Sequence, residues 1–277
     1  VEPSAQELDS TRTIVPVVTE NKEVTVSGDG TLQFKDPTGA INLNTGLVDL
    51  ETAVENNDGY LGYFLQVKID ASKMSPGNYF LLGISFRVQD ANALNSYGLS
   101  YYRSNGSNGP KTWWDKPEFA DFRNKLPMVK NDKYYVVLWK RVNGIYTVLA
   151  HTEINNAKCP GILSVIKNEL KLSPWVTIVV RLKEDAGGNR IKAYVQSPSV
   201  YPHGTVTWNF NNFKQITWTW PSVTSEVSDS TYTSAGFTNS RPEIGVHSYY
   251  DSSGSAAQLF DDFGTIIQGL GGAGEQW

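Results

Sequence analysis

The sequence predicts an all-β fold, two antiparallel sheets packed as a sandwich with one or two short helices. Three observations carry this. Segments of apolar and polar residues alternate with period two, as in 61–69, 80–88 and 176–182. Turn-forming pairs such as Asn143-Gly144 and Gly187-Gly188 separate them. Helical spacing stands out over one stretch, 116–126, where Phe119, Phe122 and Leu126 recur.

In chain order, residues 1–18 read as a leader or an edge segment, the alternative being an edge strand from Thr13 to Val18. Val24 and Val26, then Leu32 and Phe34, flank Ser27-Gly28-Asp29-Gly30 as a short hairpin. Residues 42–57 carry no clear period. Leu61, Tyr63, Leu65, Val67 and Ile69 fall on one face of a strand, and Phe80, Leu82, Ile84, Phe86 and Val88 repeat the pattern. Tyr97, Leu99 and Tyr101 continue it, and a polar loop then delivers Trp113 and Trp114. The short helix ends before Pro127. Strands resume at 134–140 and 145–151 around Asn143-Gly144, and 162–172 is a second helix or a strand.

The hairpin around Glu184–Asn189 sets Val176, Ile178, Val180 and Leu182 against Ile191, Ala193 and Val195 on one apolar face, with Arg190, Lys192 and Tyr194 on the other. Val206, Trp208 and Phe210, then Ile216, Trp218 and Trp220, alternate next, before a small and polar run, 222–239, that reads as a surface loop. Residues 243–250 and 259–267 read as a closing strand pair, and 269–277 as a Gly-rich tail. The expected organisation is therefore one sandwich over 19–268 between these two terminal segments.

The chain of 277 residues is 40% hydrophobic and 19% charged, the composition of an ordered globular protein. With 24 Lys and Arg against 28 Asp and Glu, it carries a formal charge of -4 and no basic cluster, so nucleic acid is not an expected partner. Cys159 is the one cysteine, so no intrachain disulfide forms. No apolar run reaches the length of a membrane-spanning helix. Val1 opens the sequence where a Met would stand, as in a mature or truncated chain from which a targeting segment has been removed.

The alternating strands 60–70 and 79–90, the ribbon 175–195 and the closing stretch 245–267 with Phe260-Asp261-Asp262-Phe263 together resemble the concanavalin A-like lectin/glucanase superfamily, in its laminin G-like and carbohydrate-binding branches. The resemblance implies a jelly roll and a range of roles: lectins, binding modules, adhesion domains, hydrolases and lyases. It also implies a structural calcium held by an Asp of the closing strand. Asp261 and Asp262 are the candidates, with Asp29 supplying a further oxygen ligand. Adjacent residues on a strand point to opposite faces, so the two cannot form one clamp.

Sugar rings stack their C–H faces on aromatic side chains while hydroxyls take hydrogen bonds. Trp113, Trp114, Trp218, Trp220, Tyr102 and Tyr249 are therefore the candidate ligand-binding residues. Tyr102 and Tyr249 each belong to an adjacent Tyr pair, one member of which alternation turns outward. Trp139 and Trp175 are expected to fill the core. The carboxylate runs of the fold's glucanases are missing: Glu51-Thr52-Ala53-Val54-Glu55 lacks the middle Asp. Gly245-Val246-His247 only faintly echoes the lyase motif.

The sequence thus points to a non-catalytic, extracellular or cell-surface domain binding a glycan. The alternatives are a structural or adhesion domain of a surface assembly binding protein, and a polysaccharide hydrolase or lyase.

Overall fold

A computed structural model of the protein describes residues 16–18, 24–26, 32–34, 38–43, 61–69, 80–89, 94–104, 115–126, 133–154, 175–196, 213–233, 243–250 and 258–266. Among the described residues, fifteen strands form two antiparallel sheets, a β-sandwich. They are β1 (Pro16–Val18), β2 (Val24–Val26), β3 (Leu32–Phe34), β4 (Thr38–Leu43), β5 (Leu61–Ile69), β6 (Phe80–Val88), β7 (Ser96–Ser104), β8 (Lys133–Val142), β9 (Ile145–Glu153), β10 (Trp175–Asp185), β11 (Gly188–Gln196), β12 (Phe213–Gln215), β13 (Val227–Asp229), β14 (Glu243–Tyr250) and β15 (Gln258–Ile266). Sheet A runs β1-β4-β14-β6-β7-β8-β9; sheet B runs β12-β11-β10-β5-β15-β3-β2, with β13 beside β11. A turn of 3-10 helix, Pro117–Phe119, leads into the helix α1, Ala120–Lys125.

The hairpins follow their local chemistry. Asn143 and Gly144 adopt φ of 48° and 85°, the doubly left-handed turn that matches strand twist, and β8 and β9 pair on either side of it. The β10–β11 ribbon pairs Ile178 with Val195, Val180 with Ala193 and Leu182 with Ile191, and all six side chains are buried. Its opposite face is not wholly exposed, because Val179, Arg181 and Tyr194 are buried too.

The sheets meet across that apolar face, and polar side chains tie them. Two residues of β6, Phe86 and Arg87, stand opposite the single Ile244 of β14, a β-bulge with Arg87 at φ 51°. From there the Arg87 guanidinium reaches Glu184 of β10 at 3.0 Å. Tyr97 of β7 donates to Asp229 of β13 at 2.5 Å, and Lys140 of β8 donates to the same carboxylate at 2.7 Å.

Two expectations are corrected. Residues 243–250 and 258–266 are strands, but they do not pair with each other: β14 sits between β4 and β6, and β15 between β3 and β5. Alternation marks a strand and its faces without choosing its partner. The polar run 222–239 contains β13, which pairs by backbone hydrogen bonds with β11 and needs no apolar pattern. In the N-terminal segment, β1 (Pro16–Val18) lies at the edge of sheet A beside β4, and the remainder of the expected Thr13–Val18 strand lies outside the described residues. The 162–172 segment lies outside the described residues.

Candidate functional site

Strands β6–β9 of sheet A are covered on both faces. On the face away from sheet B, Leu81, Tyr102, Tyr135, Val137, Trp139, Tyr146 and Val148 form one cluster with Phe119, Phe122 and Leu126. The helical stretch is thus a plug. Phe119 stacks on Tyr146 at 4.4 Å and 17°, and Phe122 meets both Tyr102 and Tyr146 edge-on. Trp139 lies flat over Gly98, where a Cβ would fall 2.0 Å from the indole, and its N–H donates to Ser100 Oγ at 2.7 Å. Burying three large side chains at about 1.5–3 kcal/mol each gives the plug about 5–9 kcal/mol, so this aromatic face stays closed.

The plug also guards the sheet's edge. The Val148 N–H of β9 donates to Asp121 Oδ2 at 2.7 Å, and its carbonyl accepts from Lys125 Nζ at 3.1 Å. Asp121 and Lys125, one helical turn apart, pair at 2.8 Å. Two side chains thereby replace the backbone of a missing neighbour strand.

Further along the same edge, residues 216–224 bridge the two sheets. The Ile216 N–H donates to the Ala193 carbonyl of β11 in sheet B at 2.8 Å. On the sheet A side, the His151 N–H donates to Trp220 O and the Trp220 N–H to His151 O, both at 3.2 Å. Trp218 and Thr224 close the loop on itself through N–H···O bonds at 2.8 and 3.3 Å, and the Trp220–Pro221 bond within it is cis. The His151 imidazole stacks on the Trp220 indole at 5.3 Å and 4°, and meets Tyr135 edge-on at 5.7 Å. Lys125 Nζ sits 4.9 Å from the indole centre. Burial, with Lys125 adding to it, pushes the imidazole down to about 4. Burial likewise raises the Tyr135 hydroxyl.

The cross-sheet polar group is chemically quiet. Burial, reinforced by Asp229, holds the Tyr97 hydroxyl far above the phenol range, so it serves as a proton donor. Burial works to raise Asp229, but donors from Lys140, Tyr97 and Thr231 outweigh it and keep the carboxyl below its usual range. These are the terms of a structural clip.

The candidates separate accordingly. Trp218 and Tyr102 are fully buried, so neither offers a stacking face. Tyr101, the neighbour of Tyr102, is fully buried as well, because the plug covers one face of β7 and the inter-sheet core the other. Trp139 is buried as expected, although beneath the plug. Trp220 is half-buried, and beside it Thr217, Thr219, Pro221, Ser222 and Val223 are exposed, Val223 at 78%.

Tyr249 lies on β14, paired with Leu81 and Thr38. Asp261 and Asp262 lie on β15, where Asp262 and Phe263 stand opposite Leu65 in a β-bulge, so simple alternation does not apply there. Trp113, Trp114, Trp208 and Asp29 lie outside the described residues. Among the described residues no three His, Cys, Asp or Glu side chains gather as a metal site, and no helix is long and apolar enough to cross a membrane. His151 and Lys125 escaped the sequence reading. The spacing of Asp121 and Lys125 was visible, but nothing local marks His151 as the partner of a residue 69 positions away.

No family model matches the chain, and no curated protein matches it. Six solved chains resemble it. One is a bifunctional GH43-CE protein of Bacteroides eggerthii, at TM-score 0.41 and 10% identity over 89% of this chain and 22% of that one. The chain therefore spans only about a fifth of that protein. Another is the CBM2 module of the evolved Dit of Lactobacillus casei BL23 phage J-1, at 0.42 and 8% over 95% and 98%. A third is botulinum neurotoxin type C, described as interacting with two ganglioside molecules, at 0.38 and 9% over 93% and 44%. Likenesses this weak transfer no function, and the site rests on its own geometry.

Proposed function

We propose that the protein is a non-catalytic, extracellular or cell-surface domain that binds glycan at the 217–223 surface, with Trp220 as its aromatic anchor. The supporting observation is the contrast among three tryptophans: Trp139 and Trp218 are buried, while Trp220 keeps part of its indole open on a loop fastened to both sheets. Around it stand the apolar Pro221 and Val223 and the hydroxyls of Thr217, Thr219 and Ser222. A sugar needs that mixture of apolar carbon and hydroxyl partners. Fastening the loop beforehand lowers the ordering cost of binding.

Trp113, Trp114 and Tyr249 belong to the proposal as further aromatic contacts. So does a structural calcium on Asp261 or Asp262, whose strand β15 lies beside β3, just after Asp29 in the chain. The experiment is a glycan array followed by titration calorimetry on the best ligand. Trp220→Ala is expected to weaken binding at least about tenfold, the scale of one lost aromatic contact. No binding by the wild type, or equal binding by Trp220→Ala, overturns the reading. For calcium, EDTA is expected to lower Tm; an unchanged Tm removes the metal.

A further inference from the structure

We propose that His151 is an acid-sensitive latch on the 219–223 tip of the 216–224 segment, which stays docked on β9 while the imidazole is neutral and lifts away when the ring is protonated. This holds whatever the exposed surface binds. Three features of the geometry converge on the one residue.

First, among the described residues every backbone hydrogen bond between the segment and β9 runs to His151: its N–H to Trp220 O, and its carbonyl from Thr219 and Trp220 N–H. Beyond these, Thr219 adds a hydroxyl contact to the His151 carbonyl at 3.3 Å and one to Thr152 Oγ1 at 3.4 Å. The root is held instead by the Ile216 bond to sheet B and by the buried Trp218, so from Thr219 onward the backbone of the loop is anchored to β9 at His151.

Second, the imidazole is packed between the Trp220 and Tyr135 rings, and neither ring nitrogen has a hydrogen-bond partner among the described residues. A proton added there finds no acceptor and loses its water.

Third, the charges around the ring do not welcome another cation. On α1, Lys125 is the near charge, and Asp121 is already engaged by Lys125 and the Val148 N–H. From β8 come Tyr135 and Lys133, the latter paired at 3.0 Å with Glu153 of β9. Residues 216–224 bring no charged side chain. Lifting the loop returns the imidazole to water and separates it from the indole.

The sign follows from linkage. The docked ring titrates near 4 against an ordinary 6.5. The latch is therefore intact above about pH 6.5, weakens about tenfold per pH unit down to about pH 4, and is constant below that. Release uncovers the Trp220 indole and the backbone of β9 at His151, an edge able to accept another strand.

The test is amide hydrogen exchange by NMR on the intact protein, reading Trp220 and His151 N–H against Gly144 N–H, which is bonded elsewhere, to Leu94 O. Protection at Trp220 relative to Gly144 is expected to fall about tenfold per pH unit between about 6.5 and 4. In His151→Phe, which keeps a ring and cannot titrate, that ratio is expected to stay level. Lys125→Met removes the neighbouring cation and so raises the docked ring toward its ordinary value; the fall in protection is expected to be smaller in total and to level off at a higher pH. A level ratio in the wild type, or the same fall in His151→Phe, overturns the latch. If His151→Phe does not fold, a fall in Lys125→Met as large as in the wild type and ending at the same pH overturns it alone.

Discussion

Trp139 belongs to the aromatic cluster on sheet A and Trp220 packs against it, yet their surroundings give these two residues of one type opposite roles. Trp139 rests on Gly98, gives its N–H to Ser100 and is covered by the plug. Trp220 packs against the margin of the same cluster, takes His151 on one face and keeps part of itself in solvent. What separates a core aromatic from a surface one here is cover: α1 closes over Trp139, whereas Trp220 is itself part of the nine-residue loop and rests on His151.

The comparison breaks most readily at the plug. Phe122→Ala removes a fully buried ring from the contact between α1 and the sheet. It is expected to cost about 3–5 kcal/mol in urea unfolding. A loss below about 1 kcal/mol would show that the plug does not seal the aromatic face.

Next comes the seat of Trp139. Gly98→Ala places a Cβ against the indole, and an overpacked core of this kind is expected to lose about 1–3 kcal/mol. Unchanged Tm would mean that the indole does not lie on Gly98.

The clip between the sheets ranks beside it. Asp229→Asn leaves the Lys140 ammonium without its carboxylate and is expected to cost about 1–3 kcal/mol. The Asp229 carboxyl is held below its ordinary 3.8, so the clip's stabilisation is fully present above that pH and is lost as pH falls through the lower, folded value. Wild type and Asp229→Asn should therefore converge in stability under strong acid. Parallel curves down to the lowest pH would contradict this. The smallest effect belongs to Val223, which is 78% exposed: Val223→Ser should leave stability within about 0.5 kcal/mol. A larger loss would place Val223 in a contact.

The sequence made local features legible. The Phe119, Phe122 and Leu126 spacing became a plug because a helical stripe must bury itself, and Asn143-Gly144 became a hairpin turn because that pair adopts its dihedrals cheaply. The β10–β11 register likewise follows from two matched apolar rows. Pairing between distant segments was not legible, as β14 and β15 show by joining different sheets. Burial of Tyr102 was misjudged for the same reason: alternation names a face, and cover comes from elsewhere in the chain. The site has this character throughout, since His151 and Trp220 meet only once the sandwich closes.

The most direct measurement is a map of amide shifts on adding the best glycan from an array to labelled protein. The account predicts that the perturbed amides concentrate at 217–224 and His151, and that those of Phe122, Trp139 and Tyr146 beneath the plug stay still. Shifts centred under the plug, with 217–224 unmoved, would contradict it.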